Sequence, residues 1–137
     1  MKLTAHVDGA ARGNPGPAGI GIAITDETGA TRKEIAEPLG RQTNNVAEYS
    51  AMLRALEECL ALGAVQVEII TDSELMARQI NGVYKVKTPH LIPLYLRARE
   101  LLCRFERWNV RHVRREFNKR ADQLSNIGAD AAESAAD

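Results

Sequence analysis

The stretch His6-Val-Asp-Gly-Ala-Ala-Arg-Gly-Asn-Pro-Gly-Pro-Ala-Gly19 separates two possible folds. A short apolar run ends in an aspartate and opens into a loop rich in glycine and proline. With a helix after it, such a loop would cradle the phosphates of a nucleotide. It lacks the lysine and the spacing of a phosphate-binding loop, and no helical pattern comes next. The adjoining segment, Ala18-Gly-Ile-Gly-Ile-Ala-Ile-Thr25, reads as a strand whose glycines imply close backbone approach or a bulge. The stretch is therefore a connection between two strands, and Asp8 is its chemically informative residue.

Upstream, Leu3, Ala5 and Val7 alternate with Lys2, Thr4 and His6, predicting a strand that ends at Asp8. Downstream, Asp26–Gly29 is a turn, and Thr31 to Leu39 predicts a third strand. Short turns between the three imply an antiparallel meander. Val46, Tyr49, Leu53, Leu56 and Leu60 recur at helical spacing, and Gly63 ends that helix. Val65 to Asp72 predicts a fourth strand, which makes strand–helix–strand a parallel, right-handed crossover. Ser73 caps a short helix reaching Ile80. Leu91, Leu94, Tyr95, Ala98, Leu101, Leu102 and Phe105 mark the core face of another, and Trp108 to Val113 predicts a fifth strand. Asn118 is placed to cap a last helix running to about Ala129. The expected fold is α/β, with a mixed five-stranded sheet, an antiparallel edge and helices on both faces. One domain over residues 1–130 is expected, with a flexible, acidic, Ala-rich tail over 131–137.

A chain of 137 residues with 45% hydrophobic and 26% charged residues suits one core. No apolar run is long enough for a membrane span, and the N-terminus begins a strand rather than a signal peptide, so a cytoplasmic location is expected. Cys59 and Cys103 fall in helical apolar patterns without metal-ligand spacing and read as small buried hydrophobes. Net charge is zero, yet Arg104, Arg107, Arg111, Arg114, Arg115, Lys119 and Arg120 are opposed in their segment only by Glu106 and Glu116. That segment suggests a local anionic ligand or a solvated charged face.

Four acids stand at informative places. Asp8 and Asp72 end strands that emerge side by side if they are parallel neighbours, at the edge where α/β sheets bind ligands. Glu48 and Asp122 lie in the first turns of two helices. Each has a local alternative: a turn at Asp8-Gly9, the approach to a cap at Asp72-Ser73, a capping box over Asn45–Glu48, and a helix-dipole partner in Asp122. Gathered at one sheet edge, four carboxylates repel and raise one another's pKa unless a hard divalent cation joins them. Carboxylates without histidine or cysteine suit Mg²⁺ or Mn²⁺ and two-metal phosphoryl transfer.

These residues resemble the ribonuclease H type 1 family over nearly the whole chain, from about Lys2 to about Asp130. The resemblance rests on Asp8-Gly9 with the Gly-Asn-Pro-Gly-Pro loop, Thr43-Asn-Asn-Val-Ala-Glu48 before a helix, Thr71-Asp-Ser73 at a strand end, and Asn118-Lys-Arg-Ala-Asp122 before the last helix. It implies a ribonuclease H-like fold and endonucleolytic cleavage of the RNA strand of RNA/DNA hybrids to 5′-phosphate and 3′-hydroxyl ends. It also implies two Mg²⁺ or Mn²⁺ ions held by Asp8, Glu48, Asp72 and Asp122, with Asp8 bridging them. Glu48 and the main chain of Gly9, Ala10 and Ala11 would meet the ribose 2′-hydroxyl. Asn14 with Thr43 would hold a DNA-strand phosphate, and Asn44 and Asn45 would contact the two backbones. A monomer whose partner is the hybrid is expected; whether double-stranded RNA is also a partner is left open by the sequence.

The sequence departs from the family pattern in three places. The loop before the last acid has no histidine; Arg114 or Arg115, the latter better placed, stands in its region, able to bind phosphate but not to act as a tuned base. Glu74 stands where relatives often have a glutamine that touches the minor groove. The segment Asn81–Pro93 carries Tyr84, Lys85 and Lys87 but no long basic protrusion, and a short form without a separate hybrid-binding domain is expected, with modest and salt-dependent binding. The competing readings are a non-catalytic duplex-binding module and another nuclease of this broad fold, such as an integrase or a reverse-transcriptase-associated domain.

Overall fold

The computed structural model describes residues 1–135. Its elements are β1 (Lys2–Ala11), β2 (Gly16–Thr25), β3 (Thr31–Gln42), α1 (Asn44–Ala61), β4 (Gln66–Thr71), α2 (Glu74–Ile80), α3 (Ile92–Leu102), β5 (Arg107–His112), a 3₁₀ turn (Arg115–Phe117) and α4 (Lys119–Ala135). The sheet order is β3-β2-β1-β4-β5. The first three strands form the antiparallel meander, and β1, β4 and β5 run parallel. Packing α4 over β1, β2 and β3, with α1 and α3 on the opposite face, gives the mixed architecture expected.

The glycine- and proline-rich stretch is more regular than its composition suggests. β1 does not stop at Asp8 but continues to Ala11, and β2 already begins at Gly16. Arg12 N–H donates to Pro17 O at 2.8 Å, closing the hairpin, and only Gly13 at its tip has a positive φ. Gly9 is extended strand, and it is glycine for lack of space. A Cβ there would lie 2.2 Å from the Ala47 carbonyl carbon, so α1 rests directly on the backbone of β1.

The face of α1 turned to the sheet mixes alanines with a few large residues. Ala47, Tyr49, Ala51, Met52, Ala55, Leu56 and Cys59 are buried, whereas Val46, Leu53 and Leu60 pack at the margin. The buried stripe is therefore rotated from the leucine-marked one, because alanines let the helix approach the strands closely. On the opposite face the glycines of β2 do the same for α4. A Cβ on Gly19 would lie 2.1 Å from Ala129 N, and one on Gly21 2.2 Å from Ala121 O. The register shift between Ala18 and Gly19 adds the bulge.

Three expectations are corrected. Helix α4 runs past Ala129 to Ala135, with Ala132 buried, so the stretch expected as a flexible tail is helical through Ala135. Residues 136–137 lie outside the described residues. Cys103 is exposed at the end of α3, whereas Cys59 is buried. Asn118 does not cap α4: its side chain is buried and donates instead to Val7 O at 2.8 Å. No helix among the described residues is long and apolar enough to cross a membrane.

Candidate active site

The parallel pairing of β1 and β4 ends at Val7 opposite Thr71, so Asp8 and Asp72 are the next residues on adjacent strands and emerge together. Because α1 sits on Gly9, the first turns of that helix overhang the same edge. Glu48 Oε1 accepts the Gly9 N–H at 3.2 Å, and Asp8, Glu48 and Asp72 each offer a carboxylate oxygen within 4.8 Å of the others. The capping-box alternative for Glu48 fails, because Thr43 caps α1 and accepts from Val46 N at 3.3 Å. Asp122 faces the same cleft from α4 but stands outside that triad. The cleft has a volume of about 550 Å³.

Burial makes two of these carboxylates, Asp8 and Glu48, expensive to ionise. Asp8 is 5% exposed, and its pKa is pushed up to about 7, first by desolvation and then by the charges of Asp72 and Asp122, against a hydrogen bond from Ser125 that favours the charge. Glu48 is raised well above the usual carboxylate range by desolvation, then by Asp8 and Asp72, against the Gly9 hydrogen bond. Glu48 Oε2 is buried without any hydrogen-bond partner. A buried carboxylate oxygen that no donor satisfies, facing two other carboxylates, fits a hard divalent cation.

Around the triad, α4 and the 3₁₀ turn supply the remaining groups. Arg115 Nη2 lies 3.2 Å from Asp122 Oδ1, and the arginine is largely exposed on the cleft wall. Ser125 Oγ, on a fully buried residue, donates to Asp8 Oδ2 at 2.5 Å. Asn126 Nδ2 donates to Asp122 O at 2.9 Å. Arg12 lines the cleft and is shared between Asp130 and Glu133 on α4. Sequence reasoning missed Ser73, Arg12, Ser125 and Asn126. For the last two the signal was their spacing, three and four residues after Asp122, which places them on or beside its face of the helix.

Of the residues expected to meet substrate, Gly9, Ala10, Ala11, Asn44 and Asn45 line the cleft, and Asn14 and Thr43 do not. Asn14 Oδ1 accepts from Asn44 N at 3.1 Å, and Asn44 Oδ1 accepts from Ala11 N at 3.0 Å, so the β1–β2 hairpin is stitched to the start of α1. The basic segment is largely neutralised within the fold. Arg104 pairs with Glu100, Arg111 with Glu68, Arg114 with Glu116 and Arg120 with Glu34. Among the described residues, Arg107 and Lys119 are its members without an ion pair.

Comparison with known proteins agrees with this geometry. Residues 6–128 match the family model described as reverse transcriptase-like. A ribonuclease HI of Halobacterium salinarum is 41% identical, covering 96% of this chain and 66% of that protein. A protein of Mycobacterium tuberculosis described as bifunctional is also 41% identical over 96% of this chain, which spans 36% of it. The chain thus spans between about a third and two thirds of the length of these relatives. The crystal structure of RNase H1 from Halobacterium salinarum matches with a TM-score of 0.92 at 40% identity, over 96% of this chain and 99% of that one. LC11-RNase H1 in complex with an RNA/DNA hybrid matches with a TM-score of 0.89 at 44% identity, over 95% of this chain and 98% of that one. By sheet topology, by the acids that follow the last paired residues of β1 and β4 and by these likenesses, the chain belongs to the ribonuclease H type 1 family.

Proposed function

We propose that this chain is a metal-dependent endoribonuclease that hydrolyses the RNA strand of RNA/DNA hybrids to 5′-phosphate and 3′-hydroxyl ends, acting as a monomer in the cytoplasm. The observation that carries the reading is the triad of buried Asp8 and half-buried Glu48 and Asp72, with the orphaned Glu48 Oε2. Its setting supports the reading: the family is one in which a relative of 44% identity was solved with a hybrid. Asp8, Glu48 and Asp72, with Asp122 nearby, would hold two Mg²⁺ or Mn²⁺ ions. Such ions, when bound, supply Lewis-acid stabilisation of the phosphate and an acidified water. A water oxygen adds to phosphorus, the bond from phosphorus to O3′ breaks, and the leaving oxygen takes up a proton.

The chain's own groups do the selecting. The Gly9 and Ala11 amides are already given to Glu48 and Asn44, so these residues present carbonyls rather than amides towards the cleft, since N–H and C=O of one strand residue point the same way. A carbonyl accepts from a ribose 2′-hydroxyl and finds no donor on deoxyribose. Asn44 and Asn45 stand on the cleft wall where the backbones would run, with Asn14 and Thr43 bracing that wall. Arg115, beside Asp122 and permanently charged, holds a phosphate oxygen during turnover. One cleavage panel tests the reading: hybrid, RNA/RNA, DNA/DNA and single-ribonucleotide duplexes, each with Mg²⁺, Mn²⁺ or EDTA. Hybrid cleavage with metal and none with EDTA is expected. Cleavage of DNA/DNA, or of hybrid in EDTA, would overturn it.

A further inference from the structure

The start of α4 meets β1 at Val7 and Asp8 through two side chains that flank Asp122, one just before the helix and one within it. Asn118, four residues before it, donates its Nδ2 to Val7 O at 2.8 Å. Ser125, three residues after it, places Oγ 2.5 Å from Asp8 Oδ2. Both side chains are buried, Asn118 at 1% and Ser125 at 0% exposure. Residues at i−4, i and i+3 share one helix face, so the face that carries Asp122 is also the one pinned to the strand residues at and before Asp8. The approach is possible only because Gly21, directly opposite Asp8 in the sheet, has no side chain: a Cβ there would lie 2.3 Å from Ser125 N.

We propose that Ser125 is the positioning residue for Asp8, holding one carboxylate oxygen so that the other is turned to Glu48 and Asp72. A serine hydroxyl has one hydrogen and two nearby acceptors, Asp8 Oδ2 at 2.5 Å and Asp122 O at 2.8 Å. A carboxylate outcompetes a peptide carbonyl, and Asp122 O already receives the Asn126 side-chain amide at 2.9 Å. The hydroxyl therefore goes to Asp8. It fixes the carboxylate plane and leaves Oδ1 as the oxygen directed at the triad, as outer partners of metal ligands do. Asn118 keeps the helix in register with β1, so Asp8 and Asp122 face one cleft at a set separation.

The role of Ser125 rests on the proposed metal centre, and one experiment separates the two. Mn²⁺ alone is titrated into the metal-free protein by calorimetry and by thermal shift, for the wild type and for Ser125→Ala, Ser125→Thr and Asn118→Ala. Removing the Ser125 hydroxyl raises the Mn²⁺ midpoint about tenfold. The metal-free melting temperature falls only modestly, because the loss of a donor to buried Asp8 is offset in part by the better helix propensity of alanine. KM for hybrid stays unchanged, and Ser125→Thr restores much of the metal affinity. Wild-type Mn²⁺ affinity in Ser125→Ala, or a fallen melting temperature with an unchanged Mn²⁺ midpoint, overturns the role given to Ser125 while leaving the metal centre standing. A wild-type protein with no Mn²⁺ response overturns both. Asn118→Ala, which loosens the helix without touching the carboxylate, lowers the melting temperature more than the Mn²⁺ affinity; the reverse order would also count against the role of Ser125.

Discussion

Gly9 and Glu48 define each other's place: the glycine amide donates to Glu48 Oε1 at 3.2 Å, and a Cβ on the glycine would stand 2.4 Å from Glu48 N. One residue thus brings the helix down onto the strand and aims the carboxylate it carries. The adjacent Asp8 meets that carboxylate only because the helix can sit so low.

Replacing Gly9 with alanine therefore harms the site before it harms the fold. Overpacking of this kind costs about 1–3 kcal/mol, and the start of α1 must lift away from β1. The expected outcome is a protein that folds with a lowered melting temperature and loses at least tenfold in kcat. A variant with unchanged kcat would show that Glu48 is not aimed by Gly9.

Asp8→Asn should abolish metal-dependent cleavage and at the same time stabilise the metal-free protein at alkaline pH. In the unfolded chain Asp8 titrates near 3.8, and in the fold near 7. Between those values the folded state keeps a proton that the unfolded state has lost. Stability thus falls as pH rises from about 4 to past 7. Glu48 is raised in the same direction, so part of that fall survives in the variant. Denaturant melts in EDTA at pH 4, 6 and 8 should show Asp8→Asn gaining on the wild type as pH rises. A gap that stays flat with pH would mean that Asp8 ionises as freely in the fold as in the unfolded chain.

Arg115→Ala should slow turnover more than it weakens metal binding, by about tenfold or more in kcat. The arginine lies on the cleft wall and touches Asp122 but none of the triad. Single-turnover and steady-state rates measured with a fixed hybrid separate cleavage from release. Equal turnover in both proteins would remove Arg115 from the reaction.

Arg12 faces the cleft with its charge committed to Asp130 and Glu133. Converting both acids to their amides frees that charge for a nucleic-acid phosphate. KM for hybrid should fall a few-fold at low salt, and the gain should fade at high salt, where exposed charges are screened. A rise in KM would mean that the acids hold Arg12 where the substrate needs it.

Much of this was legible in the sequence, and for physical reasons. Alternation located the strands around Val7 and Ile22, and β-branched residues located β4, so the two strand-ending aspartates could be paired. What local patterns could not supply was which helix face meets which strand. Asn118 resembles a cap by position but serves a carbonyl on another strand. The spacing of Glu48 suggests a box, yet its partner lies 39 residues away. The run Ala131-Ala-Glu-Ser-Ala135 has no apolar period to betray a helix, and alanine propensity with burial of Ala132 carries it. Ser125 looks like any helix-surface serine until the missing side chain of Gly21 is set opposite Asp8.

The four acids come from positions 8, 48, 72 and 122, on two strand ends and two helices, and the last belongs to the final element of the fold. A chain emerging from the ribosome therefore carries three of them long before the fourth, and the set is not assembled until α4 closes over Gly19 and Gly21. On the proposed reading, the full set of carboxylates therefore exists only in the completed domain.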